Sequence, residues 1–173
     1  MAPATNRGPL SAYARTARRR GIPSAPDFVR EAFAGHPPNP SMLWITKRLK
    51  PAIHDILGRD LGVLRLRYWG LNGRTVWILE EIGKEEPITT GIVVNRGAIE
   101  QVKVLIFRES RGWEIRYPVF TDQFKHARLD DEKRLDRNVD GITGATLSVR
   151  AVNKLARLAL YLHQDTPFAE DAS

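Results

Sequence analysis

The sequence predicts an α+β domain: an antiparallel sheet of about four strands packed by a C-terminal helix, with additional helices toward the N-terminus. Two observations carry this. Residues 63–107 hold apolar runs separated by Asn72-Gly73 and by Asn95-Arg96-Gly97, the residue types that tight hairpin turns demand. Residues 147–162 repeat apolar side chains at helical spacing. Length supports a single domain, since 173 residues with 42% hydrophobic content suffice for one core and fall short of two.

The elements follow in order. Residues 1–23 read as a flexible basic leader, punctuated by Pro3, Gly8, Gly21 and Pro23. Residues 24–60 read as a helical segment. Ser24 is an N-cap with Pro26 and Asp27 in the first turn, Phe28, Val29, Ala32 and Phe33 form an apolar face, and Gly35 ends the helix. His36 to Pro40 is extended linker. Residues 42–57 carry a helix-like pattern that Pro51 breaks or restarts and Gly58 stops. Residues 63–68 alternate apolar and basic side chains, as a half-exposed strand does, and residues 75–82 return from the Asn-Gly turn. Residues 88–94 and 99–107 form a second hairpin, with a break in alternation near Gln101 that signals a bulge. Residues 118–129 read as helix and residues 130–136 as solvated charge. In the last helix Val149, Val152, Leu155, Ala156, Ala159 and Leu162 line one face, and Arg150, Lys154 and Arg157 the other.

Composition excludes several kinds of chemistry. The chain has no cysteine, which removes disulfides, thiolate catalysis, iron–sulfur clusters and thiolate zinc sites. No apolar run approaches the roughly 18 residues of a membrane helix, and no signal peptide is visible, because no apolar stretch follows Arg18, Arg19 and Arg20. The net charge of +7 is concentrated: five arginines and no acid fall within residues 1–20, leaving the rest at +2. A basic arm can bind nucleic acid or anionic lipid, but the body lacks the basic stripe interleaved with aromatics that single-strand binders show, so no nucleic-acid partner is expected.

Catalytic constellations are scarce. His36, His54, His126 and His163 are scattered, with no pair at metal-ligand spacing, and read as surface or linker residues. Glu80-Glu81 and Glu85-Glu86 read as exposed charge, because adjacent strand residues point to opposite faces. No catalytic residue and no metal site are expected. That leaves Asp140-Gly141-Ile142-Thr143-Gly144-Ala145-Thr146-Leu147-Ser148, immediately before the long helix. On residue types alone it is a helix start, with a sharp turn at Gly144 and a cap from Thr143 or Thr146. Gly141, Gly144 and Ala145 also let a bulky partner approach the backbone, and a helix N-terminus suits a phosphate.

The heptapeptide at residues 140–146 resembles the flavinylation motif of FMN-binding domains. That family includes flavin-carrying components of the sodium-pumping NADH:quinone reductase and of the related ferredoxin-linked complex, along with many small electron carriers. The resemblance extends upstream: residues 91–104 are similar to the family's paired strands, and Glu109-Ser110 to its Glu followed by Ser or Thr. Where the family often has a Pro-Gly turn, this chain reads Arg111-Gly112-Trp113.

The resemblance implies that FMN, donated from FAD by a Mg-dependent flavin transferase, is joined through its phosphate to the Thr146 hydroxyl. It makes Asp140, Gly141, Thr143, Gly144, Ala145, Leu147 and Ser148 the surrounding cofactor site, with Glu109 and Trp113 as further contacts. Residues 61–165 are then an FMN-binding domain and residues 166–173 a tail. The implied function is an electron carrier between redox partners, one of them membrane-bound, in the periplasm or on the outer face of the cytoplasmic membrane. A reductase holding FMN non-covalently and a nucleic-acid-binding protein using the arginine-rich leader are the alternatives.

Overall fold

The computed structural model describes residues 22–172, so the expected leader lies almost wholly outside the described residues. Ser24 caps as expected. Its Oγ accepts from the Asp27 N–H at 3.3 Å, and helix α1 (Ala25–Ala32) follows. The chain leaves the helix through Ala34 and Gly35, both at positive φ.

The first departure from the sequence reading comes next. Residues 41–44 are strand β1 (Ser41–Trp44) rather than the start of a helix, and only Lys50–Leu57 is helical, as α2. After Pro40 the chain is already extended, and Leu43 alone turns to the core while Met42 and Trp44 face out. Pairing with residues 65–68 then satisfies the backbone of β1. Pro51 opens α2, where its missing N–H costs nothing, and Gly58 closes it at φ +76.

β1 therefore adds a fifth strand to the expected four. Strands β2 (Arg65–Leu71), β3 (Arg74–Ile82), β4 (Pro87–Asn95) and β5 (Ala98–Ile106) complete an antiparallel sheet in the order β1-β2-β3-β4-β5. Asn72 and Gly73 both have positive φ, as a two-residue hairpin requires, and Arg96 and Gly97 repeat the arrangement. The bulge expected near Gln101 is present: Val93 pairs with Gln101 but Val94 with Ile99, leaving Glu100 extra.

The sheet has a core on each face. Helix α4 (Thr146–His163) packs across β3 and β4 and against α2, burying Val152, Leu155, Ala156 and Ala159 with Trp77, Ile92 and Val102. On the other face Phe28, Val29 and Phe33 cover Val76, Val93 and Leu105. Each large apolar side chain fully buried this way contributes about 1.5–3 kcal/mol relative to exposure.

Three further expectations are corrected. Residues 118–129 are not one helix: α3 (Pro118–Thr121) is a single turn, followed by the 3-10 turn Asp122–Phe124. The next residues are drawn onto β5, with the His126 N–H donating to the Ile99 carbonyl at 2.7 Å and the Ile99 N–H to the Ala127 carbonyl at 2.9 Å. Glu81 is buried rather than exposed, and its Oε1 accepts from the Arg59 guanidinium and from the Ile82 N–H. His163 is also buried. Its Nδ1 lies 2.7 Å from Thr75 Oγ1, which accepts from the Trp77 indole N–H at 2.9 Å. Thr75 and the His163 imidazole thus share a buried hydrogen bond, and burial pushes the His163 pKa down to about 4.

Candidate functional site

The segment from Asp140 to Ser148 is a turn feeding α4. The Ala145 N–H donates to the Ile142 carbonyl at 3.0 Å, and Gly144 sits at φ +82, a conformation that side chains rarely adopt. Ala145 is the buried N-cap residue, and Thr146 is the exposed first residue of an 18-residue helix. Among the described residues no side chain caps this helix. The expected cap from Thr143 or Thr146 is therefore absent, and the first-turn N–H groups keep their donor capacity and partial positive charge.

Asp140 does not cap either. Its backbone N–H donates to Gln123 Oε1 at 2.8 Å, which ties the motif to the 3-10 turn after α3, while the residue itself stays exposed. Gly141, Thr143 and Leu147 are likewise exposed, and Ser148 is buried under the helix start.

Two loops remote in sequence converge on this turn. A Cβ placed on Gly112, itself at φ +91, would lie 3.1 Å from Ala145 Cβ and 3.7 Å from Ser148 Oγ. One placed on Gly83 would lie 2.8 Å from Ile88 Cδ1, 3.3 Å from Ser148 Oγ and 3.4 Å from Glu109 Oε1. Both glycines make the close approach possible. Gly83 does not stand out in the sequence, and Gly112 stands out only as part of the segment in place of the family's Pro-Gly turn, because only the fold brings the two here.

Glu109 fixes one of these loops. Its Oε1 accepts the backbone N–H groups of Lys84, Glu85 and Glu86 at 2.9, 2.7 and 2.9 Å. The N–H groups of Glu85 and Glu86 act most strongly, and together the three hold this carboxyl below its ordinary range. Glu109 thus organises the β3–β4 turn beside the helix start. Trp113 is exposed; its indole meets Phe107 edge-on at 6.0 Å and carries the Arg116 guanidinium 5.3 Å from the ring centroid.

Thr146 also borders a groove of about 490 Å³ between α2 and α4. Arg150, Lys154 and Arg157 bring positive charge to it and Asp55 a single negative one. Arg150 stands one helical turn beyond Thr146, on the same side. The i, i+4 spacing from Thr146 is the sequence signal that points to it. A hydroxyl, an uncapped helix start and a guanidinium one turn away suit a phosphate ester, and Gly141 and Gly144, where a Cβ would meet nothing within 4 Å, leave the approach to it open. Among the described residues no cluster of possible metal ligands occurs, and no helix is long and apolar enough to cross a membrane.

Comparison with known proteins agrees with this geometry. A family model described as FMN-binding domain matches residues 83–161, from Gly83 through β4, β5, the Glu109–Trp113 loop and the motif into α4. Neither the curated proteins nor the solved structures give a match. Residues 83–161 are thus similar to an FMN-binding domain.

Proposed function

We propose that this FMN-binding domain carries its flavin covalently, as a phosphoester on the Thr146 hydroxyl, and relays electrons between redox partners rather than acting as a stand-alone enzyme. The observation that carries the reading is the exposed Thr146 at an uncapped helix start, inside the motif and within the matched region. In the attachment step the Thr146 oxygen bonds to the flavin-side phosphorus of FAD, held by a Mg-dependent flavin transferase. The bond from that phosphorus to the bridging oxygen breaks, AMP leaves with the bridging oxygen, and the hydroxyl proton is released.

When bound, FMN supplies transfer of one or two electrons. This chain's residues supply the rest. The first-turn N–H groups of α4 and the Arg150 guanidinium hold the phosphate. Gly83 and Gly112 let the β3–β4 turn and the loop after β5 pack against the first turn of α4, while Leu147, next to Thr146, and Trp113 offer exposed apolar surface. A covalent link prevents loss by dissociation, which matters where no flavin pool reloads the protein. That argument favours the periplasm or the outer membrane face, with a membrane-bound redox partner.

The test is co-expression with a flavin transferase followed by denaturing electrophoresis. A fluorescent band at the mass of the chain is expected. Flavin released on denaturation would instead favour the non-covalent reading.

A further inference from the structure

We infer that the β1 edge of the sheet is a docking surface for an anionic lipid membrane. Four exposed large apolar residues gather there. Met42 and Trp44 project from β1, and Val63 and Leu64 from the segment entering β2, which the Ile45 N–H joins by donating to the Leu64 carbonyl at 2.9 Å. Trp44 is 58% exposed and Leu64 73%, so both tips protrude into solvent instead of lining a cleft.

Guanidinium groups flank these tips. Arg67 pairs in register with Met42 and Arg65 with Trp44, and the Arg65 guanidinium lies 5.6 Å from the Trp44 ring centroid. Residues 41–48 and 61–67 contain no acid at all. Arg48 is engaged by Asp165, while Lys47, Arg65 and Arg67 have no carboxylate partner among the described residues.

Aliphatic tips, an indole and unpaired cations in one protrusion match the layers of a bilayer surface: acyl chains, headgroup region and lipid phosphates. A protruding leucine buries itself in a medium that yields around it, whereas a protein partner would have to offer a shaped pocket. The arginines of residues 1–20 have the same sign as the patch, so charge pairing does not bring that segment onto it.

The placement also suits electron exchange at a membrane. β2 runs opposite to β3, so its first residues lie at the end of the sheet where β3 finishes and where Gly83 meets Ser148 of α4. Docking by this edge sets the Thr146 end of the domain toward the lipid. The inference stands whether or not the flavin is covalent.

The test is sedimentation of the full chain with phosphatidylcholine vesicles and with vesicles containing phosphatidylglycerol. Binding to the anionic vesicles and weaker binding to the zwitterionic ones are expected. W44A/L64S, both positions being exposed, should keep the melting temperature and lower the affinity about tenfold or more. Arg65→Glu should lower it at least about fivefold. No binding to anionic vesicles, or binding that both variants leave unchanged, would overturn the inference. Unchanged binding would assign the attraction to other charges, those of residues 1–20 included, and failure to bind lipid would leave an acidic protein as the partner for the patch.

Discussion

Gly112 lies directly against Ala145: a Cβ on the glycine would come within 3.1 Å of the alanine's own Cβ, so the loop after β5 touches the first turn of α4. Because Gly112 also sits at φ +91, Gly112→Ala meets both backbone strain and a clash. The expected loss is about 1–2 kcal/mol, or roughly 2–4 °C in Tm per kcal/mol for a chain of this size. Gly141→Ala is the control, since its Cβ would meet nothing within 4 Å and its φ is not in the left-handed region. Thermal melts that do not separate the two variants would contradict this packing.

Glu109→Gln keeps an acceptor for the three converging N–H groups but removes the charge. A loss of about 1 kcal/mol is expected in denaturant titrations at pH 7. The folded-state carboxyl is held below its ordinary value, so its contribution is complete above the unfolded pKa and is lost as pH falls through the folded one. The difference between wild type and variant should therefore shrink below about pH 4.5. A difference that stays constant to low pH would show that the charge is not the cause.

His163 titrates abnormally. Unfolded, it takes up its proton near pH 6.5; folded, it stays neutral to about 4. The unfolded state then binds more protons across that window, and stability falls as pH drops from 6.5 to 4 by an amount on the order of 3 kcal/mol. Nuclear magnetic resonance of the imidazole checks this directly. A midpoint near 6.5 in the folded protein would contradict the buried contact with Thr75.

Asp140→Ala should leave Tm unchanged, because the side chain caps nothing and the residue's link to Gln123 runs through its backbone N–H. Flavin attachment should fall sharply if the carboxylate is read by the modifying enzyme. Tm and flavin content measured on one preparation decide between the roles. A lowered Tm with full flavin loading would make Asp140 purely structural.

What the sequence reveals here depends on how local the cause is. Helix α4 is legible because its apolar positions repeat over 18 residues, and the hairpins because Asn72-Gly73 and Arg96-Gly97 carry their own backbone preference. β1 is hidden. Four residues with one buried side chain give no period, and the strand exists only because residues 65–68 pair with it. Burial of Glu81 and His163 is invisible for a related reason, since Arg59 and Thr75 stand 22 and 88 residues away in sequence. The motif at residues 140–148 is contiguous and so can be read directly. Gly83, Gly112 and Arg150 complete the site through tertiary contact and helical spacing.

Intact-mass measurement of the chain co-expressed with a flavin transferase, beside its Thr146→Ala variant, tests the central claim most directly. The predicted result is a wild-type mass exceeding the sequence mass by one FMN less one water, and a variant at the bare sequence mass. A variant that still carries the increment would place the attachment elsewhere, and a wild type without it would contradict covalent attachment altogether.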